Sequence, residues 1–543
     1  MRAKNIPVFS PSTKRSDTLL LGLALLGYLA CSLVMLTHWP IPDIDEAMFS
    51  NPALNLIQHG NFGSSAMAGV FGMGRVTFWF LPLYPLLLTL PILAFGFHLW
   101  SVRLLSVILG LAMLVLLHRL SRALGATERA AALLVLLLGT DYFFLSVTRF
   151  GRMEALLGFL LMAFLLCLER ARKSQSRKLF LLSGVLSGLS LLTHPLGVVT
   201  ILALLVWCFP EKRGPDEPWG WQTSMKQVAM AGIAMVLTLL PYVVFIVHEG
   251  MGEFWQQMVI YQRYCYVRQG FWGGPLHHAE DLWRLLRMTI TWEFFFARVC
   301  LVAWLAWPGR TSRKLTLLVV LTVVLMVFVY PSTYINYWVP AVYIFLAISA
   351  ATGKLSTAPA DPNRWSARIH QAGVAMAFLT LLASSLFAFS YWLRFFWNYD
   401  PDQSLAQLHS LVEEKAPGRR RILGSPTFLF AFPEKDFHSV FAVASAIDLR
   451  GLSWREALSE VSPEVIIVDS QLASGVWPAF SAPPDGLQEF LRLHGHFLGA
   501  VKSPLSTTPT DAEVYALDPA VFQSREVLQQ PKAVIQPSNS STP

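Results

Sequence analysis

Three carboxylates fall within four residues, Asp43, Asp45 and Glu46, in the stretch IPDIDEAMFSNPALNLIQHG over 41–60. Acids this close are solvated at a helix start, where the dipole favours them, or they work. Working carboxylates of this kind take part in proton transfer or hold a charged or polar partner. An apolar run over 18–36 precedes them, which places the cluster at the mouth of a membrane-embedded bundle. There, ionisable groups read as a functional site by default.

The local pattern predicts how the acids are held. Pro52 breaks the periodicity, so a short turn over 45–50 should precede a second helix over 52–59. Asn51 would cap that helix, with Pro52 at its first position and Gly60 ending it. Asp45 and Phe49 share a face, so Phe49 would pin the helix to the bilayer surface while Asp45 looks inward.

Further along, Arg149, Arg152 and Glu154 sit at a turn between two apolar runs. An Arg there can clamp an anion, with Glu154 holding it; the alternative is interfacial snorkelling. His194 precedes a proline at the end of an apolar run and offers a pH-dependent polar contact. His277, His278 and Glu280 have poor metal-ligand spacing, and a surface role is preferred for them. The segment YQRYCYVRQG over 261–270 reads as an amphipathic surface helix.

These residues belong to a chain of 543 residues that is 54% hydrophobic and only 14% charged. Soluble domains carry about 25% charged residues, so the composition implies a polytopic membrane protein. About eleven spans are expected near 17–37, 100–118, 131–147, 153–169, 179–195, 197–209, 228–247, 290–307, 315–331, 333–350 and 372–392. The N-terminal run lacks a cleavage site and reads as a retained helix. The five cysteines show neither metal-ligand nor disulfide spacing.

The net charge of +8 lies mostly in alternate loops between spans. That pattern is topological and excludes a nucleic-acid partner. It sets the N-terminus in the cytoplasm, and Asp43, Asp45 and Glu46 outside. The stretch FWFLPLYPLLLTLPILAFGF over 78–97 contains Pro82, Pro85 and Pro91. If it crossed, every later basic loop would be inverted, so it should lie along the outer interface, bent or split. The glycine-rich segment before it reads as a flexible loop.

The fold class is therefore mainly α: a transmembrane helical bundle over 1–392 and a small extracytoplasmic α/β domain over 398–520. The bundle should have outer loops over 38–98 and 248–290, and the chain should end in a disordered tail over 521–543. In the α/β domain, helical patterns cover 404–415, 454–461 and 487–494, and strand-like runs cover 421–423, 439–443, 465–468 and 512–516.

Several motifs carry a family resemblance. Asp45-Glu46-Ala47 with Asn55-Leu56 and Gly60 resembles the acidic signature of the GT-C superfamily. More closely, it is similar to that of family-39-like membrane glycosyltransferases, which include protein O-mannosyltransferases and aminoarabinose transferases of lipid A. The proline-containing segment over 82–96 follows in the family's order, as do Arg103-Leu104 and Gly110 through Gly125. Arg149, Arg152 and Glu154 match a site where relatives often carry Asp for the last residue. Thr193-His194-Pro195 sits where relatives often have a Lys-Gly-Pro or His-Pro turn. Tyr334, Tyr337 and Pro340 resemble an aromatic-proline helix entry.

The resemblance covers roughly the first 350 residues of the chain. It implies a GT-C bundle in the plasma (inner) membrane and a polyprenyl-phosphate sugar donor. The acceptor would be a hydroxyl on a lipid, glycan or protein, with membrane lipids as the surroundings. It further implies an inverting displacement with Asp45 as base, and Glu46 or Asp43 orienting the acceptor or holding a possible divalent cation. Arg149, Arg152, Glu154, His194, Tyr334 and Tyr337 become the substrate-binding candidates. The competing reading is a transporter or flippase of lipid-linked glycans. It would want charges near mid-bilayer and pseudo-symmetric halves, and the sequence shows neither.

Overall fold

The computed structural model describes residues 11–208, 221–268, 290–306, 313–326, 335–353, 355, 365–469, 485–502 and 511–522. Its first half is a run of helices: α1 (Pro11–Leu33), α2 (Ile44–His59), α3 (Leu83–Phe95), α4 (Leu99–Ala123), α5 (Glu128–Gly139), α6 (Tyr142–Thr148), α7 (Glu154–Ser174), α8 (Arg177–Leu191), α9 (Val198–Cys208) and α10 (Trp221–Glu249). Then come α11 (Met251–Trp255), α12 (Gln262–Arg268), α13 (Ile290–Ala306), α14 (Arg313–Val324), α15 (Ile335–Trp338), α16 (Ile344–Thr352) and α17 (Trp365–Phe395).

Among the described residues, four stretches are long and apolar enough to cross a bilayer singly: Arg15–Leu33, Leu99–Ala123, Thr223–Glu249 and Gln371–Phe395. The pair α5 and α6, bent by 68°, forms a fifth if taken as one broken span. The bend has a local cause. Asp141 caps α6, accepting from the N–H groups of Phe143 at 2.9 Å and Phe144 at 3.0 Å. Its other oxygen gathers Arg298 from α13, the Tyr343 hydroxyl at 2.9 Å and Ser385 from α17 at 3.4 Å. A buried acid inside a bundle needs such partners, and here they tie the first half of the chain to the second.

Two helices set the two ends of the bundle. Helix α4 carries Arg103 near its start and Arg122 in its last turn, and α7 opens on Glu154 and closes on Arg172 and Lys173. Nineteen residues of helix separate Arg103 from Arg122, about 29 Å at 1.5 Å per residue, close to a hydrocarbon thickness. Arg122 pairs with Glu128 at 2.7 Å at the far end. The acids of 43–46 lie at the other.

Helix α3 is 13 residues long, about 20 Å, and so too short to cross alone. It is one helix rather than a split pair. Pro91 is accommodated inside it, and the Leu83 N–H donates to the Leu192 carbonyl at 3.1 Å, fixing its start to the end of α8.

The segment over 60–80 is compact rather than loose. Asn51 Oδ1 accepts from Ser64 Oγ at 2.7 Å and from the Ala66 N–H at 3.1 Å, while Nδ2 donates to Ser65 Oγ at 3.1 Å. From the other side, Gln257 Oε1 accepts from the Phe78 N–H at 2.6 Å, and Nε2 donates to the carbonyls of Phe71 and Val76. Met67 and Met73 are fully buried beneath it.

The C-terminal part is an α/β unit. Strands β1 (Arg421–Gly424), β2 (Asp436–Ser439), β3 (Val465–Asp469), β4 (Gly495–Val501) and β5 (Ala512–Leu517) form one sheet in the order β2-β1-β3-β5-β4. The first three are parallel, and β5 and β4 join antiparallel. Helices α18 (Pro401–Lys415), α19 (Val440–Arg450), α20 (Trp454–Val461) and α21 (Asp485–His494) accompany it. Residues 440–443, strand-like in sequence, begin α19, because Ser439 caps that helix through the Phe441 N–H at 3.0 Å. The unit contacts α2 and the turn after α3: Gln58 donates to the Pro433 carbonyl at 2.9 Å, and Phe97 stacks on Phe430 with ring centroids 5.0 Å apart. The tail expected over 521–543 lies outside the described residues from 523 onward.

Candidate active site

Asp43 is the N-cap of α2. Its carboxylate accepts from the Asp45 N–H at 2.8 Å, and its own N–H donates to Glu46 Oε2 at 3.3 Å, completing a capping box. The helix then runs unbroken through Pro52 to His59, correcting the two-helix expectation. The strong cap at Asp43 starts it, and Pro52 sits in its middle as an accommodated interior proline. Asn51, expected as a cap, instead holds the loop over 64–66. Gly60 ends the helix in the left-handed region at φ +70°, its N–H on the Leu56 carbonyl.

Glu46 is fully buried and fully engaged. Arg103 Nε donates to Oε1 at 2.8 Å, Arg103 NH2 to Oε2 at 2.6 Å, and the Gly151 N–H to Oε1 at 2.7 Å. Arg103 NH1 reaches the Leu36 and Thr37 carbonyls at 2.8 and 3.2 Å. A Cβ on Gly151 would lie 2.5 Å from Val102 Cγ1 and 3.0 Å from Glu46 Oε1, so this approach needs glycine. Glu46 therefore fastens α2 to α4 and to the turn over 149–153.

That turn delivers Arg152. Its NH1 donates to Asp45 Oδ2 at 2.6 Å, and its NH2 lies 2.8 Å from Glu154 Oε1 and donates to the Tyr337 hydroxyl at 3.2 Å. The guanidinium lies against the rings of Phe49, Phe150 and Tyr337, at 5.5, 5.9 and 5.7 Å. Burial alone would lower the Arg152 pKa, but Glu154 and Asp45 outweigh it and hold it well above its ordinary value. Phe49 also packs on Phe80 at 5.2 Å, so it lines the site rather than reaching for lipid.

Arg149 is placed differently from the expectation of an anion clamp. Its Nε donates to the Trp39 carbonyl at 2.9 Å, NH2 to the carbonyls of Val34 at 2.9 Å and Met35 at 2.7 Å, and NH1 to that of Cys31. It is fully buried and satisfies the orphan carbonyls where α1 ends. It neither snorkels nor faces Arg152's cluster.

His194 joins that cluster from the turn between α8 and α9. Its Nδ1 accepts from the Leu196 N–H at 3.0 Å, which puts the proton of the neutral ring on Nε2. Its ring lies 4.9 Å from that of Tyr337. Tyr334 and the residues 277–280 lie outside the described residues.

Only two of the acids are reachable. The Asp45 side chain is 30% exposed, against 2% for Glu154 and none for Glu46. Asp43 is half-buried. Burial, reinforced by the neighbouring Asp45 charge, raises its pKa to about 7. These carboxylates do not converge on one cation: Glu46 faces Arg103, Asp43 faces its own helix start, and Arg152 stands between Asp45 and Glu154. The arrangement does not fit a shared divalent ion. Among the described residues, the group spaced for a metal is His409, Glu413 and Glu434, in the C-terminal unit.

Arg103 was quoted in the sequence only as part of a family pattern. A signal for its role was present, since an arginine at the end of an apolar helix must find a buried partner. Gly151 carried no such signal.

Residues 81–245 match the family model described as dolichyl-phosphate-mannose-protein mannosyltransferase. ArnT from Cupriavidus metallidurans, solved bound to undecaprenyl phosphate, is similar over 93% of this chain and 98% of its own, with TM-score 0.56 and 14% identity. AglB from Archaeoglobus fulgidus, an oligosaccharyltransferase in complex with an inhibitory peptide and a dolichol-phosphate, is similar over 94% of this chain and 75% of its own, with TM-score 0.53 and 13% identity. The arabinofuranosyltransferase AftD from Mycobacteria covers 93% of this chain and 41% of its own, with TM-score 0.52 and 14% identity. A comparison with curated protein sequences gave no match. The fold is that of the GT-C glycosyltransferases.

Proposed function

We propose that this protein is a multi-pass glycosyltransferase of the plasma (inner) membrane. It moves a sugar from a polyprenyl-phosphate donor to a hydroxyl on a lipid, glycan or protein, outside the cytoplasm. The observation that carries the reading is the pairing of one exposed acid, Asp45, with one buried guanidinium, Arg152, at the end of the bundle opposite the basic loops. Such a pair supplies both needs of a single displacement: a base for the acceptor hydroxyl and positive charge for the departing phosphate. Attack from the face opposite the phosphate inverts the anomeric centre. The N-terminus is cytoplasmic and the α/β unit extracytoplasmic on this reading, since Arg122, Arg172 and Lys173 mark the inner end.

The roles divide by exposure. Asp45 takes the proton, and Asp43, beside it, orients the acceptor. Glu46 positions both through Arg103 without touching substrate. Arg152, with Glu154, His194 and Tyr337 around it, faces the lipid phosphate. The GT-C fold shared with proteins solved with undecaprenyl phosphate and dolichol-phosphate supports the donor class.

The test is Asp45→Asn in purified protein. The variant should retain its melting temperature and bind lipid phosphate no more weakly than wild type, while transfer falls by roughly 10²-fold or more. Unchanged transfer would remove Asp45 from the mechanism.

A further inference from the structure

The base in this reading is not idle before the reaction. Asp45 Oδ2 holds Arg152 NH1 at 2.6 Å, a short charge-assisted bond. The neighbouring cations offer the phosphate little. Arg103 is committed to Glu46 and two carbonyls, and Arg149 to four carbonyls. Of these three buried arginines, Arg152 is the one with a partly exposed acid, Asp45, among its partners. Its other edge is fixed by Glu154 and Tyr337, and its plane by the rings around it. The guanidinium is thus anchored on its NH2 side, and its NH1 side meets Asp45, the more accessible of its acidic partners.

Resting on the proposed function, we infer that Arg152 exchanges partners during transfer, its NH1 leaving Asp45 for the lipid phosphate as Asp45 takes up the acceptor's proton. The charges balance at each point. Initially Asp45 is an anion and the donor is a phosphodiester monoanion. The acceptor oxygen bonds to the anomeric carbon with its own electron pair, and its proton goes to Asp45, which becomes neutral. The bond from that carbon to the phosphate oxygen breaks, and its electron pair leaves the phosphate a dianion. One negative charge has moved from Asp45 to the phosphate across the same guanidinium. The Arg152–Asp45 bond weakens as the Arg152–phosphate bond strengthens, so the cation favours the transition state over the ground state.

The exchange makes an unusual prediction: removing the base should improve binding of the product lipid. The experiment measures undecaprenyl phosphate affinity of the full chain in nanodiscs, for the wild type, Asp45→Asn, Asp45→Ser, Arg152→Gln and the Asp45→Asn/Arg152→Gln double variant. Both Asp45 variants should bind about ten-fold tighter than wild type, because Arg152 no longer has a competing anion. Arg152→Gln should bind more weakly, and the double variant should lose the gain. Melting temperatures identify any variant that is not folded, and either Asp45 variant alone suffices. Equal or weaker binding by a folded Asp45 variant overturns the exchange, as does a gain that persists in the double variant. Wild type that binds and Asp45 variants that bind no tighter would remove the exchange alone; no binding by any form would remove the donor class as well.

Discussion

Glu46 and Arg103 meet as a fully buried bidentate pair, at 2.8 and 2.6 Å, between α2 and α4. The pair fixes how Asp45, one residue before Glu46, presents itself to Arg152. Gly151 closes the same carboxylate from the side that carries Arg152, so one acid sets both halves of the site.

Breaking that pair leaves an uncompensated buried charge, which costs roughly 3–5 kcal/mol. Glu46→Gln and Arg103→Ala are therefore expected to lower thermal stability strongly, as measured by melting of the detergent-solubilised protein. Arg103→Lys keeps the charge but loses the fork, and should be intermediate. A Glu46→Gln protein with wild-type melting and impaired acceptor binding would instead place Glu46 on the substrate.

Arg149 gives a contrasting expectation. Its donors lie on backbone carbonyls between Cys31 and Trp39. Arg149→Ala should reduce folded yield and loosen the end of α1, read as faster hydrogen exchange over 31–39. Whatever protein folds should bind undecaprenyl phosphate about as well as wild type. Normal folding with weakened lipid binding would restore the clamp role expected from the sequence.

Asp43 yields a pH signature. Burial, reinforced by the Asp45 charge, pushes its carboxyl up to about 7 in the folded protein, well above the ordinary carboxylate range. The native state thus holds a proton that the unfolded chain releases above about 4. The contribution is fully present below the unfolded pKa and is lost as pH rises to about 7. Asp43→Asn keeps the capping side chain and should flatten the fall in stability between pH 4 and 7. A melting profile that falls equally in both proteins over that window would contradict the assignment.

Much of this was legible along the chain where the determinants are local. The acids of 43–46, the stop at Gly60 and the short, proline-marked α3 follow from spacing, capping and length. Partners distant in sequence were not legible. Nothing near Glu46 announces Arg103, 57 residues on, or Gly151, 105 residues on. Pro52 misled because a strong cap and continuous packing outweigh one missing N–H. The glycine-rich stretch over 60–80 looked loose because its order comes from Asn51 and Gln257, which lie outside it. Strand β4 was missed because its exposed edge position gives a mixed burial pattern rather than clean alternation.

The central claim is that a lipid phosphate carries the sugar to this site. Native mass spectrometry of the protein purified with its own lipids tests it most directly. The wild-type protein should carry a bound polyprenyl phosphate, or its hexose or pentose conjugate, that is lost from Arg152→Gln. Protein that carries no such lipid and transfers sugar only from a nucleotide donor would contradict it.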